Sequence, residues 1–213
     1  MNTGDPVRAD GACLVLREFE TGDRDALVAM HADPRLRRHL VDDYPLDDPA
    51  VAQRFLARLG TYYRAHEGLG IWHTSVQRSS AASFVGWHSL MPMVGRPGAV
   101  EIGCRLVPAA WGSGLALEGG ERLLDRALER LGLETVWGVC HPANRSAQAA
   151  LLALGFEPMG LLPYDGQAAL HFRIRLNAWR ALRDLPRRTR LRRALRAIAA
   201  ARPAGPPSEE PIR

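Results

Sequence analysis

The chain is 213 residues long, 46% hydrophobic and 24% charged, values that place it among ordinary globular proteins and exclude a disordered or fibrous one over most of its length. Its formal charge is +5 and every basic residue other than histidine is arginine. That charge is uneven: residues 180–213 hold ten arginines against Asp184, Glu209 and Glu210, a net of +7, while 1–179 hold 18 against 20 acids, a net of −2. A polyanion partner suggested by the total is therefore narrowed to the C-terminal segment. Cys13, Cys104 and Cys140 are too few and too dispersed for a disulfide framework or a zinc site, so no metal is expected. The first residues bring acids and prolines without an apolar run, and no stretch reaches the ~18 apolar residues of a membrane span; both predict a cytoplasmic protein.

In chain order, residues 1–12 read as a flexible lead-in and Leu14–Leu16 as a first strand. A helix follows from Thr21-Gly22-Asp23, with Leu27, Val28 and Met30 on its apolar side. Asp33-Pro34 and Asp48-Pro49 each set a capping acid before a proline, which loses nothing at a first helical position. Val51, Phe55, Leu56 and Leu59 recur at helical spacing and predict a helix over 49–66. Strands are predicted at 71–77, 84–92 and 100–107, a helix over 115–131 closed by Gly132, a strand at 135–140, a helix over 144–154 closed by Gly155, and a last strand pair at 156–160 and 168–176. This order gives one α/β (α+β) sheet domain over 13–180 and an arginine-rich extension over 181–213.

The chemistry concentrates at Trp111-Gly112-Ser113-Gly114-Leu115-Ala116, which follows a strand and opens a helix. Glycines there let backbone approach a bulky anion, and the first N–H groups of the helix point at it. A Walker loop is excluded because the chain has no lysine, and a dinucleotide fingerprint because its three glycines and its acid are out of register. A glycine turn that only lets strand and helix pack closely remains open at this point.

Reading outward, Val100-Glu101-Ile102-Gly103-Cys104-Arg105-Leu106-Val107-Pro108 precedes this loop, and Leu131-Gly132-Leu133-Glu134-Thr135-Val136, His141-Pro142-Ala143-Asn144 and Leu151-Leu152-Ala153-Leu154-Gly155-Phe156 follow it. These blocks resemble the GNAT superfamily of acyl-CoA-dependent N-acyltransferases, in particular its ribosomal-protein N-terminal acetyltransferases, where Trp-Gly-x-Gly-x-Ala and Pro-x-Asn segments recur. The resemblance spans about 13–180 and includes Leu14–Arg17, Asp33-Pro34 and Asp165-Gly166. It implies a central mixed, mostly antiparallel sheet flanked by helices, with splayed parallel strands holding acyl-CoA. It further implies that Gly112, Ser113, Gly114, Leu115 and Ala116 bind the pyrophosphate of acetyl-CoA, that the pantetheine arm pairs at Leu106 and Val107, and that Asn144 bonds the arm or thioester. Trp111 either contacts the coenzyme or packs under the loop. Where this branch has a serine three residues after the asparagine, the chain has Ala147, with Ser146 one place earlier.

Direct transfer needs a group that makes the amine neutral. Glu101, on the strand leading to the loop, is the candidate base, since partial burial favours proton acceptance; an ion pair with Arg105 is its structural alternative. His88 and His141 are secondary candidates. Asp42, Asp43, Asp47 and Asp48 lie where this superfamily shapes its amine pocket, with Tyr44, Tyr62, Tyr63 and Trp72 as lining candidates; capping and core packing are the alternatives.

The expected function is transfer of an acetyl group from acetyl-CoA to a primary amine, with a protein N-terminus as acceptor by resemblance. Acetylation of an aminoglycoside or polyamine, use of a longer acyl-CoA, and a weakly catalytic CoA-sensing or RNA-tethered protein are the alternatives. Leu182, Leu185, Leu191, Leu195 and Ile198 recur among the arginines of the extension, which reads either as a basic amphipathic helix over 189–201 meeting RNA, the ribosome or an anionic membrane, or as a frayed solubilising tail. A homodimer is a further open partner.

Overall fold

The computed structural model describes residues 13–40, 44–78 and 81–200. Strand β1 (Cys13–Glu18) leads to helices α1 (Arg24–His31), α2 (Pro34–Arg37) and α3 (Pro49–Ala65). Both aspartate caps form: Asp33 Oδ1 accepts from Arg35 N at 2.9 Å, and Asp48 Oδ1 accepts from Ala50 N at 2.7 Å and Val51 N at 3.2 Å. Each thereby satisfies N–H groups that the helix itself cannot.

Strands β2 (Gly70–Arg78), β3 (Ala81–Pro92) and β4 (Val100–Leu106) follow as an antiparallel meander. Helix α4 (Leu115–Leu124) continues as a π-helical stretch, Asp125–Arg130, within the helix predicted over 115–131. Then come β5 (Thr135–Cys140), α5 (Arg145–Ala153), β6 (Glu157–Tyr164), β7 (Gln167–Arg175), α6 (Leu176–Leu182) and α7 (Arg187–Ala200). The last hairpin is longer than expected because Asp165 and Gly166, at φ of 46° and 77°, make the tight two-residue turn that lets pairing run from Tyr164↔Gln167 inward.

The seven strands form one mixed sheet in the order β1-β2-β3-β4-β5-β7-β6, in which β4–β5 is the parallel pair. Alternation of buried residues along the strands sends side chains to two cores. On one face Val100, Ile102 and Leu106 join Leu115, Leu123, Leu124 and Leu128 of the α4 segment and Leu151 of α5. On the other, Trp87 joins Leu27, Met30, Leu36, Leu56 and Leu59 of α1–α3. Gly86 is required where β3 meets β4: its φ is 131°, and a Cβ there would stand 2.0 Å from Arg105 O.

Within the extension, residues 187–200 form helix α7, and the remainder from 201 on lies outside the described residues. Helix α7 packs on α5, with Ala194 at 4% exposure and Leu191 against the core. Arg190, 3% exposed, donates to Leu185 O at 3.0 Å and Ala153 O at 3.2 Å and ion-pairs with Glu121. A guanidinium is buried at this cost only because its donors find fixed acceptors. Among the described residues, no helix is long and apolar enough to cross a membrane.

Candidate active site

The site is built on the one parallel seam of the sheet. Strands β4 and β5 register at only two positions, Glu101↔Trp137 and Ile102↔Gly138, and then part. Beyond the seam, Cys104 and Cys140 hold corresponding places on the diverging strands. Cys104 is exposed and Cys140 is buried, and burial pushes the Cys140 thiol up to about 12, so it is a poor nucleophile at neutral pH. The gap leaves edge backbone of β4, up to Leu106, without a neighbouring strand.

At the end of β4 the chain turns through Pro108–Ala110 into the glycine loop. Gly112 and Gly114 have φ of 73° and 83°, and nothing lies within 4 Å of where a Cβ on either would sit. The space beside both glycines is open, so no close strand–helix contact demands them. Gly114 is the N-cap of α4, so the first-turn N–H groups after it lack intrahelical partners and face the loop. Ser113 Oγ donates to Ala110 O at 2.5 Å and braces the loop. Trp111 does not pack under the loop: it is 51% exposed, and its indole Nε1 donates to Leu106 O at 2.7 Å, tying loop to strand end. The open cradle, the adjacent helix start and the parted strands fit an elongated ligand carrying a pyrophosphate at one end.

Asn144 stands at the start of α5, where its Oδ1 accepts from Ala147 N at 3.0 Å. Its oxygen is therefore a helix cap, and its amide N–H groups are what it has to offer a ligand. Ala147 supplies only its backbone N–H here.

On the opposite face of the sheet from α4, Glu101 is half-buried beside Trp137. The Tyr164 hydroxyl donates to Glu101 Oε1 at 2.6 Å. The ring of His171, 3% exposed, meets Tyr164 edge-on at 6.0 Å, and burial, then Arg96, holds its imidazole below the usual range. Arg96 stacks 3.9 Å over Trp137. Arg105, the partner considered for Glu101, reaches His31 Nε2 at 3.2 Å and lies over Trp87 at 5.0 Å.

The two histidine candidates are separated. His88 is 1% exposed beneath α4, where a Cβ on Gly119 would stand 2.2 Å from its Nε2. Its Nδ1 is 2.9 Å from Thr74 Oγ1, and burial pushes it down to about 4. It is a neutral core group closed off from an entering amine. His141 is half-buried at the mouth of the seam; its Nδ1 accepts from Ala143 N at 3.1 Å, and its ring lies 5.7 Å from that of His39.

Of the acceptor candidates, Asp42 and Asp43 lie outside the described residues. Tyr44 is 37% exposed, with Arg58 stacked over its ring and bonded to its hydroxyl. Trp72, at 4% exposure, belongs to the core on the α4 side and lines no open wall. Tyr63 is also structural: its hydroxyl accepts from Phe19 N and donates to Ile71 O, and burial pushes it up to about 12. Tyr164, His171 and His39 were not found from sequence. Tyr164 carried the only available signal, its place just before the Asp165-Gly166 turn.

A mixed sheet opened at one parallel seam, with a glycine-capped helix in front of the opening, defines an acyl-CoA-dependent transferase fold. Residues 14–157 match the model of the acetyltransferase (GNAT) domain family, and the chain belongs to that family. It is an N-acetyltransferase acting on an amine, and the family's donor is acetyl-CoA. An uncharacterized N-acetyltransferase, YoaA, of Bacillus subtilis is 21% identical over 71% of this chain and 89% of its own length. The structure of RimJ from Mycobacterium smegmatis in complex with CoA-disulfide is similar over 86% of this chain and 90% of that one, with a TM-score of 0.63 and 19% identity. RimL, a ribosomal L7/L12 alpha-N-protein acetyltransferase in complex with coenzyme A, is similar over 81% of this chain and 98% of that one, with a TM-score of 0.63 and 16% identity.

Proposed function

We propose that the chain acetylates the α-amine of a protein N-terminus, with Glu101 as general base. The observation that carries this reading is the half-buried Glu101 carboxylate at the first of the two registered pairs of the β4–β5 seam, opposite the face covered by α4. Likeness in fold to RimJ and RimL, together with the Trp-Gly-Ser-Gly-Leu-Ala and Pro-Ala-Asn segments, supports a protein N-terminus as acceptor.

Acetyl-CoA, when bound, supplies an activated acyl thioester. The N–H groups from Gly112 to Ala116 hold its pyrophosphate, and the backbone of Leu106 and Val107 aligns its arm in the seam. Asn144 donates an amide N–H toward that arm. Glu101 takes the proton of the incoming ammonium, and the Tyr164 hydroxyl fixes which carboxylate oxygen is presented. His141 and His39 line the mouth, and His88 takes no proton because it is sealed beneath α4.

The test is free-thiol release from acetyl-CoA across N-terminal peptides, polyamines and aminoglycosides. Turnover is expected with peptides, and Glu101→Gln should lower kcat about 100-fold or more, the ordinary worth of a positioned base. Turnover with polyamines or aminoglycosides alone overturns the acceptor, and an unchanged rate in Glu101→Gln overturns the base.

A further inference from the structure

The arginines of the C-terminal segment divide by partner. Arg180 chelates Glu129 at 2.9 and 2.6 Å, Arg183 reaches the same carboxylate at 3.1 Å, Arg187 donates to Glu121 at 3.0 and 2.8 Å, and Arg190 ion-pairs with Glu121. All these acids belong to the helix that starts at the glycine loop. Arg188, Arg192, Arg193 and Arg196 are exposed and have no ion pair or hydrogen bond among the described residues. Positions 188, 192 and 196 stack on one stripe at steps of about 6 Å, with 193 beside it, away from Arg190 and Ala194.

The apolar side of α7 is already used. Ala194 is buried, Leu191 packs on the core, and the helix lies on α5. Leu195, 53% exposed, is the one exposed large apolar residue of α7. An interfacial membrane helix needs a free apolar face to insert, and α7 has spent its own on the domain. What remains is four cations with open donor forks. Helix α7 contains no aromatic residue to stack a base, so contact is with backbone alone.

We propose that this outward face of α7 binds the phosphate backbone of RNA without regard to sequence. Positions 188 to 196 span about 12 Å of helix, a row short enough for one flexible single strand to follow. Each guanidinium donates a charge-assisted pair of N–H bonds to a phosphate and releases a condensed counterion. The site is remote from Glu101 and independent of the acceptor assignment.

The experiment is fluorescence anisotropy of a labelled mixed-sequence RNA of about 20 nucleotides with the full chain, between about 50 and 200 mM salt. Four engaged phosphates predict a slope of about −3 in log affinity against log salt, or about 50-fold weaker binding across that range. Arg192→Gln should flatten the slope by about 0.7, and the quadruple glutamine variant at 188, 192, 193 and 196 should abolish the salt-dependent binding. The thermal midpoint of the quadruple variant should be unchanged, because these side chains hold nothing in the fold. No binding at the lowest salt, an unchanged slope in the quadruple variant, retention on phosphatidylglycerol vesicles equal to that on RNA, or a DNA strand bound more than about tenfold tighter each overturns the proposal.

Discussion

The Tyr164 hydroxyl donates to the Glu101 carboxylate at 2.6 Å, joining the end of β6 to the start of β4 across 63 positions of sequence. Two strands, β5 and β7, lie between them in the sheet, so the bond crosses the face of the seam. It therefore reports on the seam as well as on the carboxylate.

That coupling is measurable. Tyr164→Phe and Glu101→Gln should each lower kcat while leaving KM for acetyl-CoA unchanged, since neither touches the glycine loop. A double-mutant cycle should show strong non-additivity, with a coupling of about 1.5–3 kcal/mol, the worth of a hydrogen bond to a charged acceptor. Additive effects would mean that the hydroxyl does not position the carboxylate.

Gly86 on β3, opposite the end of β4, and Gly114 at the start of α4 should respond differently to alanine. Gly86→Ala drives a methyl into Arg105 O and must force β3 from β4, costing about 3 kcal/mol or more in unfolding free energy. Gly114→Ala meets open space and pays only for its left-handed φ, roughly 1–2 kcal/mol. Its larger effect should be on CoA affinity, because the methyl enters the cradle. Denaturant titration and isothermal calorimetry with CoA separate the two.

Acid should destabilise the protein before its carboxylates titrate. His88 is pushed down to about 4 by burial, so the unfolded chain, with an ordinary imidazole near ~6.5, binds more protons than the native one between those values. Stability from this group is complete above about pH 6.5 and is lost as pH falls toward about 4, an effect on the order of 3 kcal/mol. His73 and His171 are shifted down by burial as well and act in the same direction. Thermal midpoints measured from neutral pH down to about 4.5 should fall, and His88→Asn should flatten that fall while keeping a polar partner for Thr74.

Arg190 should be the anchor of α7. Arg190→Ala removes donors to Ala153 O, Leu185 O and Glu121 and should cost about 3 kcal/mol, as broken buried pairs do. Trypsin should then cut at Arg188, Arg192 and Arg193 faster than in the parent chain. Arg192→Ala, on the outward stripe, should change neither the stability nor the cutting elsewhere in the helix.

What could be read from the sequence was local. Asp33 and Asp48 announce their helices because a cap acts over two or three residues, and Gly112 and Gly114 mark a loop because their conformations exclude other side chains. The strand order from Val100 to Phe156 also follows from local alternation. What could not be read was decided by packing. His88 alternates like any half-exposed strand residue, and only the placement of Gly119 above it makes it a core group. Trp72 reads as a pocket aromatic and is covered by the helix on its face. Tyr164 reaches Glu101 through the twist of four strands, which no spacing encodes. The arginines of α6 and α7 look alike in sequence, yet Arg180, Arg183, Arg187 and Arg190 find acids on another helix and Arg188, Arg192, Arg193 and Arg196 do not.

The pairing of Arg187 and Arg190 with Glu121, and of Arg187 with Glu118 at 3.5 Å, has a consequence for the order in which the molecule is made. Glu118, 2% exposed in the finished structure, is synthesised 69 residues before Arg187. A nascent chain emerging N-terminus first can assemble its sheet through β7 with Glu118 paired to Arg122 on its own helix, whereas Glu121 meets Arg187 and Arg190 only after a further stretch of chain. The first turn of α7 is thus what covers Glu121, and a chain cut short before Arg187 would leave that carboxylate without these two partners.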